Sequence, residues 1–122
     1  MKKIQTEKAA KAIGPYSQGV CSSGLLFTSG QIPAEPETGN IPEGIREQTM
    51  QVMENLKAIA EAAGTDLSKA VKTTCFLSDM ENFACFNEIY AKYFTGKPAR
   101  SCVAVKALPK GVLAEVEAVI EL

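Results

Sequence analysis

The chain has 122 residues, 46% of them hydrophobic and 22% charged, with a formal net charge of −1 and no histidine. That length suits one domain able to bury its own core, and the balanced composition argues against disorder and against a membrane span. Without histidine the chain cannot run Ser-His-Asp or Cys-His catalysis or build the common histidine metal sites, and without a basic cluster it is poorly equipped to hold nucleic-acid phosphates.

The first ten residues, MKKIQTEKAA, carry the positive charge of a secretion signal without the apolar stretch that should follow, so a cytoplasmic protein is expected. Gly19 to Ser22 and Leu25 to Ser29 are short and β-prone, and Ser23-Gly24 between them predicts a hairpin. From Gln31 to Gly44 the run QIPAEPETGNIPEG holds three prolines and two glycines, which predicts a loop. Beyond it, Ile45, Thr49, Val52, Met53, Leu56, Ile59, Ala60 and Ala63 recur at three- and four-residue steps. That spacing predicts an amphipathic helix of about five turns, with Gly64 as its C′ residue. Ala70 to Leu77 (AVKTTCFL) is β-branched and aromatic enough for a strand. Ser78 or Asp79 can cap a second helix, whose Phe83, Phe86, Ile89, Tyr90, Tyr93 and Phe94 form a core stripe ending before Gly96 and Pro98. Pro98 to Val105 (PARSCVAV) reads as a strand, Leu108 to Gly111 as a turn, and Val112 to Leu122 as the last strand.

The order β-β-α-β-α-β-β predicts an α+β fold, a mixed sheet with both helices on one face. Strands CFL and SCVAV are apolar on both parities, yet no third helix exists to cover the far face. A homo-oligomer that packs sheet faces together is therefore expected. The four cysteines, Cys21, Cys75, Cys85 and Cys102, have neither a CxxC motif nor regular spacing, and read as reduced core thiols rather than disulfides or a metal site.

Chemistry must then come from carboxylates, Tyr, Lys, Cys or Arg. Arg100 stands out because the chain has only one other arginine, Arg46, among its 13 basic residues. In the last strand Ala114, Val116, Ala118, Ile120 and Leu122 share one face, and Glu115, Glu117 and Glu121 the other. If Leu108 to Gly111 closes a hairpin, Arg100 and Cys102 lie on the neighbouring strand. They then meet the carboxylates or face away from them according to the register, which the residues leave open. Further candidates are Tyr16 in IGPY and Ser29-Gly30, where a glycine lets a ligand approach the backbone and can present an N–H to an anion; turn chemistry is the plainer reading of both. Asn87 suits either a ligand contact or a hydrogen bond between elements.

Taken together, IGPYSQGV at 13–20, FTSGQIP at 27–33, VKTTCFLSDMENFACFNEIYAKYF at 71–94, PARSCVAV, and LPKGVLAEVEAV at 108–119 closely resemble the RidA family, also called YjgF, in motif sequence and order. The resemblance implies a chorismate-mutase-like fold assembled as a homotrimer, with active sites in the clefts between subunits. It also implies hydrolysis of 2-imino acids, such as 2-iminopropanoate and 2-iminobutanoate and their enamine tautomers, to 2-keto acids and ammonia, without a cofactor. Those imines arise from pyridoxal-phosphate enzymes and can damage them. By the same resemblance Arg100 binds the substrate carboxylate, Gly30 adds a backbone N–H with Ser29 beside it, and Glu115 activates the attacking water. Tyr16 and Asn87 line the cleft and Cys102 lies against the substrate. Only Thr95-Gly96-Lys97 separates Phe94 from Pro98, fewer residues than in many relatives. The rival readings are a small-carboxylate binding or regulatory protein and, against the charge balance, an endoribonuclease or translation inhibitor.

Overall fold

The computed structural model describes residues 1–122. Six strands and two helices follow in the order β1 (Lys2–Ile4), β2 (Gly19–Ser22), β3 (Leu25–Thr28), α1 (Ile45–Ala62), β4 (Ala70–Leu77), α2 (Phe83–Tyr93), β5 (Ala99–Ala104) and β6 (Ala114–Glu121). All strands join one sheet in the order β1-β2-β3-β6-β4-β5. Only β4 and β5 run parallel, so the sheet is mixed, as the element order predicts. Both helices pack on one face of it, around a single core that joins Val52, Met53, Leu56 and Ile59 of α1 to Phe86 and Ile89 of α2 and to Leu26, Cys75, Leu77, Val116 and Ile120 of the sheet. Each such large side chain taken fully out of water contributes about 1.5–3 kcal/mol.

The elements themselves follow local rules. Helix α1 ends at Gly64, whose φ of +85° suits a residue without a Cβ, and the Thr65 N–H donates back to the Ala60 carbonyl at 3.0 Å. Ser23 and Gly24, at φ +55° and +77°, make the tight turn between β2 and β3. Asp79 does act as a cap, accepting from the Glu81 N–H at 2.8 Å. It caps a single 3-10 turn, Met80–Asn82, and α2 begins only at Phe83.

Two expectations need correction. The strand order has an extra member, β1, whose Lys2-Lys3-Ile4 is too short and too charged to register as a strand; it is held by pairing Lys2 with Cys21 and Ile4 with Gly19 at the sheet edge. Lysines on an edge strand also discourage edge-to-edge association. The more consequential correction concerns the last two strands, which are not a hairpin. Strand β6 inserts between β3 and β4, and residues 105–113 arch over the end of β4. There the Val105 N–H donates to the Leu77 carbonyl at 2.8 Å and the Ser78 N–H to the Leu113 carbonyl at 3.1 Å. The physical reason is burial: Ala114, Val116, Ala118 and Ile120 are at most 2% exposed, which a central position beneath the helices provides and an edge hairpin would not.

Three buried amides hold the irregular segments in place. Asn55 Nδ2 donates to the Ile32 and Ala34 carbonyls at 3.2 and 3.0 Å, clamping the proline-rich loop to α1. Gln48 donates to the Pro42 carbonyl and accepts from the Leu113 N–H, and Gln18 bonds Thr6 and Ala10 of the N-terminal segment. The outer face of the sheet carries no helix. Phe27 and Val103 stand 44% and 45% exposed on it, with Val119 and Phe76 half-buried. No helix is long and apolar enough to cross a membrane.

Candidate functional site

The candidate residues form two clusters. The first surrounds Arg100 on the edge strand β5. Parallel pairing sets Arg100 beside Thr73 and Cys102 beside Cys75, so both side chains point to the helix-covered face. Arg100 Nη1 donates to Asn87 Oδ1 at 2.7 Å, and its Cζ lies 4.7 Å from the centroid of the Tyr90 ring and 5.5 Å from that of Phe83. Asn87 therefore makes a hydrogen bond between elements, and the one it makes is to the candidate arginine. Burial pushes the Cys75 thiol up to about 12, with its neighbour Cys102 adding to the effect. Burial also raises Cys102, against the pull of Arg100. Both sulfurs are thus protonated at neutral pH and are weak nucleophiles.

The second cluster gathers where β3 ends. Gln31 bridges Val116, its N–H donating to the Val116 carbonyl at 2.9 Å and its carbonyl accepting in return, which sets Gly30 against Glu115. A Cβ built on Gly30 would run into Glu115 Oε2 and come within 2.9 Å of its Cδ, so only glycine leaves the carboxylate where it is. Glu115 lies opposite Phe76 on the outer face, half-buried, and makes neither a hydrogen bond nor an ion pair within the chain; the one ion pair present joins Arg46 and Glu88. Burial, and then the like charge of Glu117, raise its pKa above the ordinary glutamate value. Ser29 turns its hydroxyl to the Ser17 carbonyl at 2.5 Å, tying β3 to the turn that presents Tyr16. Tyr16, half-exposed, shares with Gly30 an open cleft of about 450 Å³ that Ile13, Gln31, Pro109 and Lys110 also line.

Within one chain these clusters do not meet. Thr73 pairs with Arg100 on one side and with Ala118 on the other, which puts Arg100 on the face opposite Glu115. Two strand spacings and three residues of rise place their Cα atoms ~14 Å apart. The Arg-carboxylate pair that an adjacent hairpin could have assembled is therefore absent from the single chain. Tyr90 and Thr73 were not among the sequence candidates for the site. A tyrosine three residues after Asn87, in a stripe otherwise apolar there, was the available signal.

A mixed sheet of this order, backed by two helices, recurs in solved structures. Escherichia coli TdcF, solved with bound serine, matches with a TM-score of 0.96 and 44% identity, over 100% of this chain and 99% of that one. At the sequence level a RutC family protein of Pyrococcus horikoshii is 54% identical over 118 residues, 95% of this chain and 94% of its own. The 2-iminobutanoate/2-iminopropanoate deaminase of Escherichia coli K12 is 48% identical over 122 residues, 97% and 95% of the two chains. The family model described as endoribonuclease L-PSP matches residues 6–122. The chain belongs to that family, the YjgF/RidA proteins.

Proposed function

We propose that this protein is a deaminase that hydrolyses 2-imino acids, including 2-iminopropanoate and 2-iminobutanoate, to 2-keto acids and ammonia. The observation that carries the reading is Glu115: an unpaired, half-buried carboxylate with a raised pKa, set against a glycine that cannot bear a side chain. An iminium carbon is already electrophilic, so catalysis needs mainly an oriented water and a base near its working pH. The ionised Glu115 takes a proton as the water oxygen bonds to C2, giving a carbinolamine. The protonated Glu115 then returns that proton to nitrogen and, ionised again, takes the hydroxyl proton as the C–N bond breaks and the carbonyl forms. The proton passes to the departing ammonia, which leaves as ammonium with Glu115 ionised for the next turnover. This chemistry calls on neither a metal nor an organic cofactor.

The substrate carboxylate needs a cation, and Arg100 suits it because a guanidinium fork makes two parallel charge-assisted hydrogen bonds. A small imino acid cannot span the ~14 Å between Arg100 and Glu115 of one chain, given strand spacings. We therefore assign the site to two copies. Arg100, Asn87 and Cys102 at the free edge of one sheet meet Glu115, Gly30, Ser29 and Tyr16 of the next, in a homotrimer whose contacts cover Phe27 and Val103. Static light scattering should read three times the 13.0 kDa chain mass, and a monomer at micromolar concentration would defeat the composite site. An amino-acid oxidase generating imines in place in the presence of semicarbazide, with clearance read as a slower rise of semicarbazone absorbance, tests the reaction. Arg100→Ala should abolish clearance, and Glu115→Gln should keep 2-ketobutanoate binding while losing turnover.

The serine bound to TdcF, an amino acid rather than an imine, favours a second reading in which the cleft senses or carries small carboxylates. Wild-type protein that binds 2-ketobutanoate yet leaves imine lifetimes unchanged would select it.

A further inference from the structure

We infer that Tyr90, anchored by Thr73, is a positioning residue that holds the Arg100 guanidinium in the orientation that accepts a carboxylate, and so sets the protein's affinity for its substrate class. The inference rests on the proposed role of Arg100 and deepens it.

A long side chain on an edge strand is ordinarily free to sweep through solvent, at a rotamer entropy that binding must then remove. Arg100 is held on two sides. Phe83, Asn87 and Tyr90 stand at i, i+4 and i+7 of α2 and so form one stripe toward β5. From it Asn87 takes Nη1 at 2.7 Å, while the Tyr90 ring lies against the guanidinium with Cζ 4.7 Å from its centroid. The ring is itself held on three sides. Its hydroxyl and Thr73 Oγ1 share a hydrogen bond of 2.6 Å, it stacks on Phe94 at 4.7 Å between centroids, and it tilts against Phe86 at 5.9 Å. Thr73 is fully buried and is the register partner of Arg100 on β4, so the tether and the arginine are fixed by the same pair of strands.

The division of the cation's surface matters. An aromatic ring attracts a guanidinium through its flat face, whereas a carboxylate binds its N–H edge. With its hydroxyl engaged by Thr73, Tyr90 takes none of the guanidinium's hydrogen bonds, and Asn87 uses only one of the five N–H donors. What remains is a preorganised fork. Tyr90 touches no substrate atom in this arrangement.

The test uses the intact protein. In wild-type protein the Arg100 Hε resonance should be shifted by the Tyr90 ring current, a signature absent if the stack does not form in solution. Tyr90→Leu removes both ring and tether. The Kd for 2-ketobutanoate and the KM for imine should rise together by about two- to thirty-fold, the range of cation–π strengths, and kcat should fall by less than KM rises. Tyr90→Phe keeps the ring and should restore most of the affinity. A role in packing alone would lower Tm and leave the Kd of the folded protein untouched, and that result would overturn the inference. An unshifted wild-type Hε would do so even if Tyr90→Leu failed to fold. Because the Kd and Hε measurements need no turnover, a protein that passes them but leaves imines intact refutes the deaminase reading and not this one.

Discussion

Replacing Gly30 by alanine isolates the placement of Glu115 from every other property of the site. A Cβ at position 30 would lie 2.9 Å from Glu115 Cδ and 3.2 Å from Cγ, where ordinary contact begins near 3.4 Å, with Oε2 in harder collision still. The carboxyl group must swing away, its carbon by about half an ångström and its oxygens farther, and misplacement of a reacting group by about 1 Å costs on the order of 10²-fold in rate. Backbone strain does not confuse the result, because Gly30 lies outside the left-handed region. An alanine there lowers the entropy of the unfolded chain, a gain of about 0.4–1 kcal/mol that partly offsets the contact. Gly30→Ala should thus lose about a hundredfold in kcat with stability changed by less than about 1 kcal/mol. A double-mutant cycle with Glu115→Gln supplies the decisive comparison: where the carboxylate is already gone, adding the alanine should cost little. Two losses that simply multiply would show that Gly30 acts by another route, and a Gly30→Ala enzyme retaining a third of its kcat would refute the steric reasoning outright.

The raised pKa of Glu115 has a definite sign in stability as well as in rate. Its folded value exceeds the unfolded one, so stability falls as pH rises through that window. Glu115→Gln should raise Tm at pH 7, with the gain vanishing below the ordinary glutamate range. In rate, kcat/KM should fall as pH drops through the raised value, and Glu117→Gln should move that acid limb downward by removing a like charge. An unmoved limb in stopped assays across pH would contradict the assignment of Glu115 as base. Arg100→Lys keeps the charge but not the fork, and should lower kcat/KM by about ten- to a hundredfold, the worth of one charge-assisted bond, through KM rather than kcat. Asn55→Ala strands the carbonyls of Ile32 and Ala34 and should destabilise by about 1–3 kcal/mol in urea unfolding at unchanged m.

Legibility in advance tracked how far apart in the chain the deciding residues lie. The period of Val52, Met53, Leu56 and Ile59, the Ser23-Gly24 turn and the proline-rich loop are each written within a few residues, and each appears as expected. The alternation of Ala114, Val116, Ala118 and Ile120 told which face of β6 is buried, but not that β3 and β4 flank it, because strand order is settled by long-range pairing. The parity of Arg100 and Glu115 fixes a shared face only on adjacent strands, and β4 lies between β5 and β6. Gln48 and Asn55 carry no local signal of their role, since nothing near them in sequence reveals that the carbonyls they satisfy belong to a loop.

The central place of β6 also constrains how the molecule comes into being. Strands β3 and β4 touch only through it, and it is the last strand in chain order. Until it arrives, the sheet exists as two separate halves, each with an open inner edge ready to pair with a wrong partner. Closure of the sheet is then one late, non-local event. That same event brings in Glu115 and seals Ala114, Val116, Ala118 and Ile120 beneath the helices, so whatever delays insertion of β6 leaves the core open and invites aggregation.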